Sequence, residues 1–461
     1  MSASEVRARP DELNAIIDAD QPLVAECKKP RRKITPLDTL VCTILMLPPE
    51  IISIIFLYCI PVSCQWNTPD AKLAVPRATR SFTPPYLRFG EYYVSKTATR
   101  QRTPAQIENF LASWVRRARG RPLTLTIHGD MMRCLGNDRA GALLARYASQ
   151  VKKLDLWLTG RFDWTNRQRC LPNFVRWPLL EEVEIMGADN FHDIDYAFSL
   201  APKLRVLADN DGVLSPSFGA IPWRQLTYLY YKLGRLQDCV DVLQQAEMLE
   251  DCHFWFDDGV DDDDLLDDEM DTVEHARLRD LSLDGSIDRL DAVLPLLTLP
   301  ALKILKVAEL PTDPDSVLDF LEGHASHLQE LHMHQLLTKS LPPMPALTKL
   351  TLTTKKEVYT GDLFTLLQSP EPRFLPSLEH IHLERFYSKE RRDYETMARA
   401  LADRWHRSKG CADIAQLRSF TLWIKLGENE VIEDFEELLA PVVGVKAAGV
   451  DTVVKYWGSK W

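Results

Sequence analysis

Leu278–Leu283 reads LRDLSL, Leu302–Val307 reads LKILKV and Leu328–Met333 reads LQELHM. Each has an apolar residue at its first, fourth and sixth positions, and all the residues between are polar except Ile304. In an extended chain side chains alternate between faces, so the fourth and sixth positions share one face and the third and fifth share the other. The same unit continues outward as LTKLTL at Leu347, LEHIHL at Leu378 and LRSFTL at Leu417. Toward the N-terminus it is found as LEDCHF at Leu249, LTYLYY at Leu226, LRVLAD at Leu204, LEEVEI at Leu180 and VKKLDL at Val151, led by the strand-like Leu123–Ile127.

Measured between final residues from Ile127, the steps are 29, 29, 24, 22, 23, 29, 24, 26, 19, 31 and 39 residues. A recurrence close to 20–29 residues is the signature of a leucine-rich repeat, in which each unit can bury its apolar edge only by stacking on its neighbours. The intervening segments carry helical periodicity: Ile107, Phe110, Leu111, Trp114 and Val115; Leu236, Val240, Leu243 and Ala246; Ile287, Leu290, Val293, Leu294 and Leu297; Tyr394, Met397, Ala398, Leu401 and Trp405. Prolines at 178, 202, 222, 300, 345 and 376 lie just ahead of strands, where they are expected to stop the preceding helix. The expected fold is an α/β leucine-rich-repeat-like solenoid, a horseshoe over 105–461 with parallel strands on its concave face. A small helical segment at 36–65 precedes it, after a basic disordered tail at 1–35 and before a proline-rich linker at 66–104.

On that concave face the sequence sets Trp157, Tyr230, Trp255, His332, His334, His382 and Trp423, with Glu184, His253, Ser282, Lys306, Thr351 and Glu384 among them. Large aromatics on an otherwise polar strand face suit contact with a protein target, or coverage by the chain's own loops and helices. The first seven are the candidate target-binding residues.

A net charge of −11 argues against nucleic acid as a partner, because phosphate binding needs a basic surface. Ten of the fifteen residues from Asp257 to Asp271 are acidic, an insertion between two repeats expected to stay solvated, or to dock a basic partner segment. Nine scattered cysteines without a C-x-x-C pair fit reduced thiols in a cytoplasmic or nuclear protein. Lys28–Lys33, KKPRRK, suits a nuclear-import signal or a solvated tail. Leu40–Cys64 is apolar, yet Pro48, Pro49 and Glu50 interrupt it, so a membrane anchor is not the preferred reading.

His324, His327, His332 and His334 cluster in sequence without carboxylate or thiolate at ligand spacing, and no metal is expected. The chain has no G-x-x-x-x-G-K, G-x-S-x-G or H-E-x-x-H motif, so no catalytic residue and no cofactor is assigned.

Leu47–Pro61, LPPEIISIIFLYCIP, opens a short helix with proline at its first position, glutamate in its first turn, and an apolar stripe of Ile51, Ile54, Ile55 and Tyr58. It resembles the opening of the F-box in large fungal families with divergent leucine-rich repeats. WVRRARGRPLTLTI from Trp114, LADRWHRSKGCADIAQLRSFTL from Leu401 and KAAGVDTVV from Lys446 are similar to later units of those proteins. The resemblance implies that Leu47, Pro48, Glu50, Ile51, Ile54, Ile55 and Phe56 bind a Skp-type adaptor of a cullin ubiquitin ligase, while the repeats hold a protein substrate. The family's second half-box does not follow; CQWNTPDAKLAVPRATRSFTPPYLRFG stands there instead, so the box is read as either degenerate or truncated. A scaffold without ligase function and a membrane-anchored binding protein are the alternative readings.

Overall fold

A computed structural model of the chain describes residues 86–88, 104–118, 120–128, 137–157, 175–186, 195–210, 212, 214, 221–233, 235–256, 272–285, 287–308, 315–334, 341–353, 361–368, 374–386, 388, 391–425 and 432–457. The box-like segment with Leu47–Phe56, the tail, the basic run at 28–33 and the acidic insertion at 257–271 lie outside the described residues.

The described chain is an α/β repeat built on one parallel sheet of fourteen strands that follow one another in chain order. They are β1 (Tyr86–Arg88), β2 (Leu123–His128), β3 (Val151–Trp157), β4 (Glu182–Met186), β5 (Val206–Asp209), β6 (Tyr228–Leu233), β7 (Asp251–Phe256), β9 (Asp280–Gly285), β11 (Ile304–Val307), β12 (Glu330–Met333), β13 (Lys349–Thr353), β14 (His380–Phe386), β15 (Ser419–Lys425) and β16 (Asp451–Trp457). Two short strands, β8 (Val273–Glu274) and β10 (Leu297–Thr298), pair separately. Tyr86–Arg88 lies inside the stretch read as a linker and pairs with Thr124–Thr126. The helices are α1 (Pro104–Ala118), α2 (Asn137–Tyr147), α3 (Leu236–Gln245), α4 (Ile287–Val293), α5 (Asp315–His324), α6 (Gly361–Gln368), α7 (Arg391–Gly410) and α8 (Ile432–Gly444). Parallel neighbours cannot be joined by a hairpin, so each connection crosses back along the sheet. Helices α3 to α8 do this in later connections, although none is described between β12 and β13, while single 3-10 turns stand at Asp195–Phe198 and Trp223–Gln225 between β4 and β6.

Three apolar rungs run under the sheet. The first holds Leu180, Leu204, Leu226, Leu249, Leu278, Leu302, Leu328, Leu347, Leu378 and Leu417, all fully buried. The second includes Leu154, Val183, Leu207, Leu229, Leu281, Leu305 and Leu331, and the third Leu156, Ile185, Phe254, Leu283, Val307 and Met333. They pack with Leu243, Val317, Phe364 and Leu401 of the helices into one continuous core. Each buried aliphatic side chain contributes about 1.5–3 kcal/mol, which is why a unit that can stack need not be stable alone.

The residue after each first-rung position forms a second ladder. Its N–H donates to the carbonyl of its counterpart one strand back, from Glu181 on Lys152 through Arg205, Thr227, Glu250, Arg279, Lys303, Gln329, Thr348, Glu379 and Arg418, at 2.7–3.0 Å. Charge alternates along parts of this rim, and Lys152–Glu181 (3.0 Å), Arg279–Glu250 (3.8 Å) and Arg418–Glu379 (3.2 Å) pair across it.

The prolines act differently from expectation. Leu180, Leu204, Leu302, Leu347 and Leu378 each donate an N–H to the carbonyl three residues earlier, at 3.1–3.3 Å, and Pro178, Pro202, Pro300, Pro345 and Pro376 occupy the second position of these turns. Proline's fixed φ suits that position, so it starts the turn into the strand and does not end a helix. Pro222 precedes the 3-10 turn Trp223–Gln225. The helix expected to reach Leu297 ends at Val293, giving way to a 3-10 turn at Leu294–Leu296 and then to β10.

Candidate binding face

The strand face opposite the rungs carries side chains that are mostly half-buried among the described residues. All seven candidate target-binding residues lie on it, half-buried except for Trp255, which is 42% exposed. Of the other outward residues, Ser282 and Thr351 are buried, because short side chains sit between taller neighbours: His253 and Lys306 flank Ser282, and His332 and His382 flank Thr351. The seven do not converge. Trp157 on β3 and Trp423 on β15 are ten strands apart, on the order of 48 Å along the sheet. They fall into two groups.

The first group centres on a shallow depression of about 250 Å³ between β3 and β6, lined by Lys153, Glu182, Glu184, Asn210, Tyr228 and Tyr230 with small apolar residues beneath. Lys153 Nζ lies 3.5 Å from both Asp155 and Glu182. Partial burial acts to lower its pKa, but Asp155, Glu182 and Glu184 together outweigh that and hold it above the ordinary lysine value. Tyr230 stacks on His253 with ring centroids 4.4 Å apart. Burial, then Asp251, push the Tyr228 hydroxyl up, and burial with neighbouring Asp280 raises Asp251 against the pull of Lys306. Lys306 Nζ bonds both carboxylate oxygens of Asp280, at 3.0 and 2.8 Å, and closes this acidic stretch.

The second group is a linked polar chain. Thr353 Oγ1 donates to Glu384 Oε2 at 3.0 Å, so the same oxygen accepts from His332 Nε2 at 3.2 Å, which places the proton of a neutral His332 on Nε2. His382 Nδ1 is 3.7 Å from Glu384 Oε1, and its ring meets Trp423 edge-on at 5.0 Å. Lys455 lies over the other ring of the set, 5.1 Å from the Trp423 centroid, and His334 sits 6.1 Å from His332. Burial lowers the pKa of His332 and of His382, more than Glu384 raises either; Lys306 and the neighbouring histidines add to the lowering at His332, and Lys349 and Lys455 at His382. His253 is lowered in the same way, by burial against the pull of Asp284 and Asp280.

Thr353 and Asp280 were not among the residues singled out by sequence, and their pairing is legible only once the strand register is known. The sequence cluster of four histidines divides. His324 is buried in the helix layer, where its ring bonds Phe320 O at 2.7 Å and receives the Leu299 N–H at 3.2 Å, while His332 and His334 face outward. Among the described residues no three His, Cys, Asp or Glu side chains are placed to hold a metal ion. Cys239 and Cys252 are buried free thiols, and burial pushes both far toward the protonated form, so neither is a poised nucleophile. Among the described residues no helix is long and apolar enough to cross a membrane; Leu40–Cys64 lies outside them. The adaptor-facing set Leu47, Pro48, Glu50, Ile51, Ile54, Ile55 and Phe56 also lies outside the described residues. Comparison with family models gives no match, and comparison with curated proteins gives none.

Proposed function

We propose that this chain is a non-catalytic substrate receptor of an SCF-type ubiquitin ligase, a leucine-rich-repeat-like horseshoe whose concave strand face binds a protein target. The observation that carries the reading is the outward face itself: among the described residues, fourteen strands in chain order carry half-buried aromatics, histidines and carboxylates on the side opposite the rungs. Aromatic rings set on an otherwise polar strand face suit a large polypeptide partner. Small-molecule chemistry has little support, since the depression on the face is shallow and no nucleophile–base pair lines it.

The ligase half of the reading rests on Leu47–Pro61, whose likeness to an F-box opening would recruit a Skp-type adaptor and through it a cullin. The receptor would then act by proximity, raising the effective concentration of target lysines near a ubiquitin-charged enzyme, in the cytoplasm or nucleus. Purification of the tagged chain should recover the adaptor, and Ile54→Asp with Phe56→Asp should abolish recovery. Wild-type chain that recovers none sinks the ligase reading. The proline-rich stretch that stands in place of a second half-box favours one competitor, a ligase-independent scaffold. In that case deletion of residues 40–62 leaves target binding intact and no adaptor is recovered from either form.

A further inference from the structure

The outward face of the described strands is electrically uneven, and the unevenness bears on what it binds. From β3 to β9 it presents six carboxylates, Asp155, Glu182, Glu184, Asp251, Asp280 and Asp284, against three lysines, Lys153, Lys232 and, reaching over from β11 to Asp280, Lys306. From β11 to β16 the remaining charges are Glu330, Glu384 and Asp451 against Lys349 and Lys455, a smaller excess. The acidic half also holds the depression, where tyrosine rings stand beside carboxylates.

We propose that this acidic, tyrosine-lined half of the face, centred on Glu182, Glu184, Tyr228 and Tyr230, binds a lysine- or arginine-rich segment of the target. The assignment deepens the receptor reading and rests on it. Its warrant is charge complementarity together with ring faces: a carboxylate fixes a guanidinium or ammonium, and an adjacent aromatic face attracts the same cation. The chain supplies an internal precedent in Lys153, which is held between Asp155 and Glu182 at 3.5 Å from each. The same face thus already seats one cation between two carboxylates.

The test uses the full chain and two fluorescein-labelled synthetic peptides, one lysine- and arginine-rich, the other its aspartate and glutamate counterpart, followed by fluorescence anisotropy. The basic peptide is expected to bind and the acidic one not. Glu182→Gln with Glu184→Gln should weaken binding by on the order of tenfold. Glu379→Gln, a rim carboxylate off the face, should leave it unchanged. Lys153→Gln should tighten it, a gain that misfolding cannot imitate. Wild-type affinity in the double glutamine variant overturns the proposal, since carboxylates elsewhere, such as those of Asp257–Asp271, would then account for binding. Binding that emerges only after removal of residues 1–35 also overturns it, by making the chain's own KKPRRK run the occupant. Adaptor recovery is read in parallel: lost peptide selectivity with the adaptor still recovered refutes only this assignment. A lost adaptor with selectivity intact refutes only the ligase reading.

Discussion

The half of the sheet before the acidic insertion and the half after it obey the same repeat with different chemistry. After it, every rung position from β9 to β15 is apolar, and the connections include α4 to α7. Before it, polar groups enter the rungs. Asp209 takes a third-rung position and is fully buried, with one carboxylate oxygen accepting the Leu214 N–H at 2.9 Å. Tyr231 takes the same position on the next strand, and its hydroxyl donates to Leu214 O. The loop between them turns at Gly212, whose φ of +69° and closeness to Lys232 O, 2.7 Å from where a Cβ would stand, require glycine. The lesson is that a rung tolerates a polar side chain where a backbone amide and carbonyl are brought to meet it.

The contrast can be broken most forcefully in the aliphatic half. Leu331→Ala on β12 removes a second-rung side chain that is 1% exposed, and should destabilise the fold by about 2–5 kcal/mol, read as a shift in the urea midpoint. A loss below that range would mean that neighbouring rungs close the cavity. Arg404→Ala comes next. Arg404 Nη2 donates to Leu375 O at 2.6 Å and to Pro376 O and Leu378 O at 3.3 Å, gripping the turn into β14, where Leu375 has a strained φ of +48°. Burial, helped by Arg407, lowers its pKa to about 10, so the charge is held at some cost. Loss of these charge-assisted bonds should destabilise by about 1.5–3 kcal/mol. Arg404→Met, which keeps the stem, should lose less.

In the earlier half, Asp209→Ala should cost about 1–3 kcal/mol, since the Leu214 amide loses its buried acceptor. The sharper experiment is Asp209→Leu, which restores the aliphatic pattern seen after the insertion. If the rung were merely an eroded copy of the later ones, leucine would stabilise; on the present account it destabilises because the amide stays unpaired.

The same contrast explains what could be read from sequence. The later units are L-x-x-L-x-L with little variation, and helix periodicity such as Tyr394, Met397, Leu401 and Trp405 coincides with α7. In the earlier units LRVLAD and LTYLYY, period alone places Asp209 and Tyr231 inward; it is silent on their partners, because Leu214 lies in a loop with no pattern. The prolines were conspicuous, but a proline ahead of a strand serves equally to end a helix or to open a turn, and only the i to i+3 bonds decide between them. The outward residues followed from alternation by two. Their division into an acidic and a histidine-bearing half did not, since that depends on which strands are neighbours.

Acid should separate the halves by a smaller effect with a definite sign. His253, His332 and His382 have folded pKa values below 6.5, because burial disfavours the imidazolium. The unfolded chain therefore takes up protons first as pH falls, and stability is lost from 6.5 down to the lowered folded values, then levels off. Asp251 and Asp238 have the opposite sign: burial raises both above 3.8, so the folded state protonates first and part of the stability returns as pH falls through the raised values. Urea unfolding at about pH 7.5 and about pH 5.5 spans the histidine window. The midpoint should drop on acidification, and His332→Gln with His382→Gln should flatten that drop while Asp251→Asn leaves it in place. A drop that persists undiminished in the double histidine variant would move the acid sensitivity out of the later half of the face and leave its lowered histidines without a thermodynamic role.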